Sequence, residues 1–573
     1  MVQFHTVKAN ALLASILFEQ YKKTGDPKDI ELALVNYQVT LKLLRKYNSI
    51  VVNSTQKQLT RLDQFNYIFE DAIQTSIAYY NITGNTTSLD WAFEVSEYSK
   101  ALTLQKVISA SRAISFAGIP DSLISLEEAI RTELADARAR FESQLGVENP
   151  DDKIIEEMKN TLADITIEYE RLILLLETDY PKYHQLKHQT ATFTPLEVAN
   201  DLDDNTSLIE YFMGESSIHI FTITSAGLDV VEVPYDSVFT KTAERFSEAI
   251  QKKTIIKNKA KLQLYLDGFE LYQYLIKPIE SQIASAERLI IIPDGLLHSI
   301  PFDALITKSE ESTDYTTASY LIKDYSISYH FSAVLFSKER DFRQRLYNTA
   351  FTGFAPVYCN ADSTDLDQER GSAADKISYT SHSSFAPLPW AKEEVEKSAK
   401  LFRDQNLITE TFFSKQGTEK QFREISDTGI LHLATHGLLN DEYPDLSCLI
   451  FHQADTTDFS NDGILYSSEI YNLDLNTDMI VLSSCQSGVG KIAKGDGAIA
   501  ITRAFYFAGV PNILYTLWEI SDKQTAGFMT GFYKSYLNGY TYPNALRNAK
   551  ILMISHPETA PPNYWAAFQL IGK

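Results

Sequence analysis

A histidine and a cysteine stand at the ends of two apolar segments in the C-terminal third of the chain. Residues 430–435 lead into His436-Gly437, and residues 479–484 lead into Cys485. Apolar, β-branched runs of this length predict buried strands. Since catalytic groups of open α/β sheets collect at the carboxyl ends of the strands, we expect the two side chains to lie close together.

A thiol beside an imidazole is suited to nucleophilic catalysis. The imidazole takes the thiol proton and later protonates a leaving amine near neutral pH. Cys485 follows His436 by about 50 residues, a separation also found in caspases. The backbone N–H groups of Gly437 and Cys485 are the candidate oxyanion hole, in which one donor lowers the barrier by about 3 kcal/mol. Each residue taken singly is better explained as a structural side chain, so the joint occurrence carries the hypothesis.

Further motifs occur in the order of one family. Thr-His-Gly at 435–437 and Leu-Ser-Ser-Cys-Gln-Ser-Gly at 482–488 resemble the two signatures of CHAT-domain peptidases, relatives of caspases and separase that commonly follow tetratricopeptide-like repeats. Other segments also resemble this family, and they lie at residues 293–305, 388–395, 495–509, 517–522 and 565–572. The resemblance covers about residues 195–573. It implies that His436 is the general base and acid and that Cys485 is the nucleophile, with no obligatory third side chain.

Two carboxylates are candidates for the substrate pocket. In separases, the segment that resembles residues 518–522 supplies an acid that pairs with a basic side chain before the scissile bond, and Asp522 has the matching position. Asp496, which follows the nucleophile in Gly-Asp-Gly, is the second candidate. An Asp at position 522 is equally typical of an N-cap for a helix that begins near Lys523, with Ser521 as the competing cap.

The first 192 residues have a helical pattern and an internal repeat. Apolar residues recur at three- and four-residue spacing. The segment from Tyr21 to Asp26 is echoed by the segment from Tyr80 to Asn85, and each copy predicts a helix that ends on a glycine, a tight turn and a second helix. The repeat is either a coincidental pair of helical hairpins or, as we favour, a degenerate tetratricopeptide-like array. Residues 122–186 predict a further pair of long helices.

The pattern changes near residue 193, where short β-branched segments begin to alternate with helices. Such alternation predicts a mainly parallel sheet. The expected fold class is therefore α + α/β, with a TPR-like helical repeat region at 1–192 and a caspase-like CHAT peptidase domain at 193–573. Within this domain we expect a non-catalytic half at 193–345 and a catalytic half at 346–573. Because Met1 leads almost directly into a helix, we also expect that residues upstream of it are missing.

Composition argues against several other classes of protein. A net charge of −23 opposes direct binding to nucleic acid or to an anionic membrane. The apolar runs are too short to cross a bilayer and no signal peptide is recognisable, so we expect a cytoplasmic protein without membrane contact. Three scattered cysteines predict neither disulfides nor a zinc site, and Gly-Val-Gly-Lys at 488–491 lacks the Ser or Thr of a phosphate loop. We expect no metal and no cofactor.

The function that the sequence predicts is a cysteine endopeptidase that cleaves a protein partner. Its helical repeats are expected to bind the substrate or a regulator, and a chain that lacks residues 1–190 is expected to form a soluble α/β domain. The family resemblance implies a role in bacterial defence, in which such a peptidase cuts a gasdermin-like or other effector. The alternative is a non-catalytic scaffold, in which a degenerate peptidase domain and the repeats mediate protein–protein interaction.

Overall fold

The helices and strands are known for most of the chain. The computed structural model describes residues 2–51, 66–100, 121–145, 152–179, 194–252, 258–309, 314–338, 347–356, 388–425, 427–438, 447–452, 462–470, 473, 475–483, 492–493, 497–498, 501–520 and 522–573. The α-helices are α1 (Val2–Thr24), α2 (Pro27–Val51), α3 (Asn66–Thr83), α4 (Thr86–Ser99), α5 (Asp121–Leu145), α6 (Asp152–Asp179), α7 (Pro195–Ala199), α8 (Ser237–Ile250), α9 (Asn258–Leu275), α10 (Ala333–Lys338), α11 (Ala391–Arg403), α12 (Glu419–Arg423), α13 (Ser467–Ile470), α14 (Ile501–Phe507), α15 (Asp522–Leu537) and α16 (Tyr542–Ile554).

The sequence repeat corresponds to two helical hairpins, α1–α2 and α3–α4, that turn in the same way. The amide of Gly25 donates to the carbonyl of Tyr21, and the amide of Gly84 donates to that of Tyr80, both at 2.8 Å. The two glycines have φ values of 71° and 69°, a left-handed conformation that ends a helix without the steric cost of a side chain. The prediction of a helix, a glycine end, a turn and a second helix is confirmed in both copies.

Helices α5 and α6 form a third helical hairpin. Its small core consists of Ile130, Leu134, Ile165, Tyr169, Leu172 and Leu176. These residues follow helical spacing on both helices, so each helix buries one stripe against the other. The prediction of paired long helices in this part of the sequence is confirmed.

The chain changes from helices to strands after α7. The strands are β1 (Thr206–Met213), β2 (Ser217–Thr224), β3 (Gly227–Pro234), β4 (Arg288–Ile292), β5 (Ser326–Tyr329), β6 (Thr349–Ala355), β7 (Thr409–Phe413), β8 (Asp427–Leu433), β9 (His436–Leu438), β10 (Cys448–Ile450), β11 (Ile464–Tyr466), β12 (Asn476–Leu482), β13 (Ile492–Ala493), β14 (Gly497–Ala498), β15 (Asn512–Thr516) and β16 (Phe568–Ile571). In the described part of the chain, eleven of them form one sheet in the order β3-β2-β1-β4-β5-β16-β15-β12-β8-β6-β7.

This central sheet is mainly parallel. Among its described strands, seven neighbouring pairs run parallel and three antiparallel. The last strand, β16, lies between β5 and β15, so it joins strands β1–β5 to the strands that follow residue 346. The predicted fold class, a helical region followed by a mainly parallel α/β sheet, is confirmed.

The helical region and the sheet share one hydrophobic core. Side chains of β1, β2 and β4 alternate between the two faces of the sheet, as the two-residue period of a strand requires. Those on one face pack with residues of α1–α4 and α10, and they are Leu208, Phe212, Phe221, Ile223, Ile290 and Ile292. The rings of Phe93 on α4 and Phe221 on β2 meet edge to face with centroids 5.9 Å apart. The helices therefore cover a sheet face that would otherwise be exposed to water.

A buried carboxylate of the helical region also holds the β1–β2 turn. Glu70 on α3 accepts a hydrogen bond of 2.7 Å from the amide of Glu215. A Cβ atom on Gly214 would lie 2.0 Å from Glu70 Oε1, so only glycine lets the two segments approach this closely. Burial raises the pKa of Glu70 above its ordinary value.

None of the described helices is long and apolar enough to cross a membrane.

Removal of residues 1–190 is expected to cause aggregation, in contrast to the expectation from the sequence. The truncated chain would expose the apolar face of β1, β2 and β4, and exposed patches of this kind drive association. Sedimentation and size-exclusion chromatography of the truncated chain test this. A soluble, monomeric truncated chain would contradict the shared core.

A milder test uses a single substitution in the shared core. Phe93→Ala should lower the free energy of unfolding by about 3–5 kcal/mol, whereas Leu12→Ala, at a position that is 62% exposed, should change it by less than about 0.5 kcal/mol.

Candidate catalytic site at the carboxyl edge of the sheet

The segments that carry the histidine and the cysteine leave neighbouring strands at the same level. Strands β8 and β12 are adjacent and parallel, and Leu433 at the end of β8 is paired with Leu482 at the end of β12. Ser483 donates to the carbonyl of Leu433 through both its amide, at 3.1 Å, and its hydroxyl, at 3.3 Å. His436 and Cys485 each follow their strand end by three residues. Cys485 itself lies outside the described residues, so its distance from His436 stays a prediction.

The local structure at His436 differs from the sequence expectation. Strand β8 ends at Leu433, and His436 begins the separate strand β9, which pairs with β10 in a small three-stranded sheet. The strand that was expected to run to residue 435 is interrupted because the hydroxyl of buried Thr435 donates to the carbonyl of Ile450 on β10, which draws the chain away from the central sheet. His436 is half-buried, and Gly437 stands opposite Leu449.

A buried hydrogen-bonded chain anchors β8 beneath this edge. His432 contacts the hydroxyl of Tyr533 through Nδ1 and the carboxylate of Glu394 through Nε2, both at 2.8 Å. All three side chains are buried, and buried polar groups stabilise a strand only when they are hydrogen-bonded. Because these groups are hydrogen-bonded to one another, they hold β8 in place. His432 is therefore a packed core residue with a partner at each ring nitrogen.

The segment that follows Cys485 contacts a part of the chain that is distant in sequence. Strands β13 and β14 contact the 3-10 turn Gly295–Ser299. In this turn, Nε2 of His298 is buried and has no hydrogen-bond partner among the described residues. Burial lowers the pKa of His298 to about 4; Asp294 opposes this shift, and Arg503 and Lys100 reinforce it. His298 lies far from Cys485 in sequence, so only the fold reveals that its turn contacts the same segment.

Arg503 belongs to the motif at residues 495–509, but the sequence reasoning gave it no role of its own. It lies on α14, directly after the segment that carries Cys485, and it is among the largest fully buried side chains. A buried guanidinium is costly unless it is paired, so it marks a specific polar environment. The available signal was an arginine among the apolar residues of a short helix.

The two pocket candidates are located only in part. Asp522 is the first residue of α15, and its side chain lies outside the described residues. Asp496 and Ser521 also lie outside them. Since the helix begins at Asp522 and not at Lys523, a role at the helix N-terminus and a role in the pocket both remain compatible with its place.

A metal site is not indicated by the described residues. They contain no group of three His, Cys, Asp or Glu side chains arranged to hold a metal ion.

The architecture so far defines an α/β protein with a candidate His–Cys site at the carboxyl edge of its sheet and helical repeats before it. Residues 267–573 match the model of the CHAT domain family. Because the match covers more than half of the chain, the protein belongs to the CHAT domain family. In this chain the CHAT domain is preceded by helical repeats.

Comparison with curated proteins gives relatives named for tetratricopeptide repeats. Tetratricopeptide repeat protein 28 of Homo sapiens is 26% identical over 339 residues, which cover 53% of this chain and 13% of that protein. The protein of the same name from Mus musculus is 35% identical over 109 residues, which cover 19% of this chain and 4% of the relative. The chain thus spans only a small part of the length of these relatives.

Among solved structures, the separase–securin complex of Saccharomyces cerevisiae is similar at 11% sequence identity. A crystal structure at 2.6 Å resolution has a TM-score of 0.39 and covers 98% of this chain and 47% of that chain. A second structure of the complex has a TM-score of 0.36.

Cys448 is expected to be unreactive in the folded protein. Its thiol is buried on β10, and burial raises its pKa to about 12, which lowers the thiolate fraction near neutral pH by about a thousandfold relative to an ordinary thiol. Alkylation followed by peptide mass spectrometry should therefore modify Cys448 at least about a hundredfold more slowly in the folded than in the denatured chain. Equal rates in the two states would contradict this placement.

Proposed function

We propose that this protein is a cysteine endopeptidase that acts through His436 and Cys485 on a protein partner. The observation that carries the proposal is the parallel pairing of β8 with β12. Because these strands end side by side, the segments that carry His436 and Cys485 leave the sheet at the same edge. Membership in the CHAT domain family supports it, as does the resemblance of both flanking motifs to the peptidase signatures.

The proposed reaction is an acyl transfer. His436 takes the proton from the Cys485 thiol, and the thiolate attacks the carbonyl carbon of the scissile peptide bond. The C–N bond breaks, the amine leaves with the proton held by His436, and a thioester remains. His436 then takes a proton from water, and the hydroxide attacks the thioester carbon. The C–S bond breaks, the carboxylic acid leaves, and His436 returns the proton to the Cys485 sulfur. The backbone N–H groups of Gly437 and Cys485 are the proposed donors to the oxyanion.

Cys485→Ala and His436→Ala are each expected to abolish proteolysis without unfolding the chain. Cys485 lies beyond the last residue of β12 and His436 is half-buried, so neither substitution empties the core. Labelling with a thiol-reactive peptide electrophile should modify Cys485 and should fall at least about a hundredfold in His436→Ala, since the base is lost. Cys448→Ala and His556→Ala, a buried cysteine and an exposed histidine elsewhere, are the controls. Proteolysis that survives Cys485→Ala would refute the mechanism.

The same labelling experiment separates the enzyme from a scaffold. A CHAT domain that only binds partners, as the repeat-based names of the curated relatives allow, would leave Cys485 no more reactive than an ordinary thiol. A gasdermin-like effector, which the family resemblance implies as a substrate, belongs among the proteins that are offered for cleavage.

The residue before the scissile bond is proposed to be basic, with Asp522 and Asp496 as carboxylates of the pocket. A charge-assisted, bidentate contact favours Arg over Lys. Asp522→Asn is the informative variant, because Asn keeps the size and a hydrogen-bond acceptor of the side chain at the first residue of α15 but removes the charge. We expect this variant to lose its preference for Arg in a peptide library, whereas Asp236→Asn, at the N-cap of α8, should keep it. An unchanged preference in Asp522→Asn would leave Asp522 with a role at the helix N-terminus only.

A further inference from the structure

A carboxyl group of the helical region reaches into the α/β domain. Glu97, on α4, is buried and accepts two backbone hydrogen bonds from the first residues of α10, from Ala333 at 2.9 Å and from Val334 at 2.7 Å. These amides have no partner within their own helix, because the first turn of every helix leaves its N–H groups unpaired. Ser332, the residue before α10, accepts from the third amide of the helix, that of Leu335, at 3.2 Å, so Glu97 and Ser332 together satisfy its first turn.

Glu97 is itself held in place by a buried polar cluster. It lies beside Glu210 on β1, whose Oε1 accepts from Ser96 at 2.5 Å and from Lys100 at 3.2 Å. Burial raises the pKa of Glu97 well above its ordinary value, and the carboxylate of Glu210 acts in the same direction. Replacement by Gln keeps the size of the side chain and one acceptor oxygen, and it removes the other of the two acceptors.

Helix α10 is bonded at its other side to the helix that follows the candidate nucleophile. The hydroxyl of Tyr506 on α14 donates to the carbonyl of Leu335 at 3.1 Å. The Tyr506 ring also contacts those of His330 and Phe331, with centroids 5.6 and 5.3 Å away. A continuous series of hydrogen bonds thus runs from α4 through α10 to α14.

Two cations of the same elements lie near the turn that contacts β13 and β14. The charges of Lys100, next to α4, and of Arg503, on α14, both lower the pKa of His298 in this turn. Recognition of a partner by the repeats would not require the hydrogen-bonded link from Glu97 to Tyr506.

We propose that Glu97 is a positioning residue for the catalytic segment. It fixes α10, and α10 in turn fixes α14 through the hydrogen bond between Leu335 and Tyr506. In this way Glu97 determines where the chain that follows Cys485 is held. This inference rests on the proposed function. It makes the helical repeats a part of the catalytic machinery and not only a surface for substrate binding. A mere anchor between the two regions would affect stability but not the reactivity of Cys485.

Glu97→Gln and Tyr506→Phe break the two ends of the series. Each is expected to lower the rate of Cys485 modification, and kcat for a short peptide, by about tenfold with KM little changed, since the substrate is not contacted. The double variant should be no slower than either single variant, because residues of one coupled series give non-additive effects. The matched controls are Glu94→Gln, on the same helix but paired with Arg45, and Tyr515→Phe, a buried hydroxyl bonded to Gln569. Both controls should react at the wild-type rate.

Amide hydrogen exchange gives a readout that does not depend on catalysis. Glu97→Gln should speed the exchange of residues 501–507, whereas Glu94→Gln should not. If wild-type Cys485 is unreactive, the proposed function fails, and faster exchange in α14 would still support the physical link. Wild-type reactivity in Glu97→Gln and Tyr506→Phe, or fully additive losses in the double variant, would overturn the positioning role. If Glu97→Gln does not fold, Tyr506→Phe decides by itself, with a reduced rate in support and an unchanged rate against.

Discussion

The sheet of this protein needs an apolar cover on both faces, and over β1, β2 and β4 the helical repeats provide one of them. Strand β4 has Leu289 and Ile291 on one face and Ile290 and Ile292 on the other, and all four side chains are buried. Strands of parallel sheets are apolar on both faces for this reason. The repeats are therefore an integral part of the fold. They cover one face of the same sheet whose carboxyl edge carries the candidate site.

The polar groups inside this interface determine how the helices sit on the sheet. Burial of a carboxyl group without partners is costly, whereas apolar contacts alone tolerate small shifts of one surface along another. Glu70 accepts from the β1–β2 turn, and Glu97 accepts from α10. Each of these bonds has a defined direction and length. They therefore specify one arrangement of α3 and α4 on the sheet, and through α10 this arrangement extends to Tyr506 and α14.

The candidate site combines a firmly held strand, β8, with a cysteine segment that other parts of the chain support. Strand β8 is fixed by the chain from Glu394 through His432 to Tyr533, and its end is bonded to the start of the cysteine segment through Ser483. The chain beyond Cys485 instead contacts the turn Gly295–Ser299 through β13 and β14 and then continues into α14. Reactivity of a thiol requires that its base be held at hydrogen-bond distance, so the supports of this segment matter for the proposed catalysis as much as the residues proposed to react.

Local sequence patterns predicted the two helical hairpins correctly, because a glycine end and a repeated turn are encoded within a few residues. They also indicated His436 and Cys485 as a candidate pair, because each follows an apolar strand, and this pair stays a prediction. The sequence further indicated the change from helices to a mainly parallel sheet. The short strand β9 and the antiparallel strand β16 were missed, since an apolar run of three or four residues does not reveal which strand it pairs with. Two contacts are visible only in the folded structure: Glu97 accepts hydrogen bonds from the first turn of α10, and the turn that contains His298 contacts β13 and β14. Such contacts join residues far apart in the chain, and they depend on packing and burial that no local pattern contains.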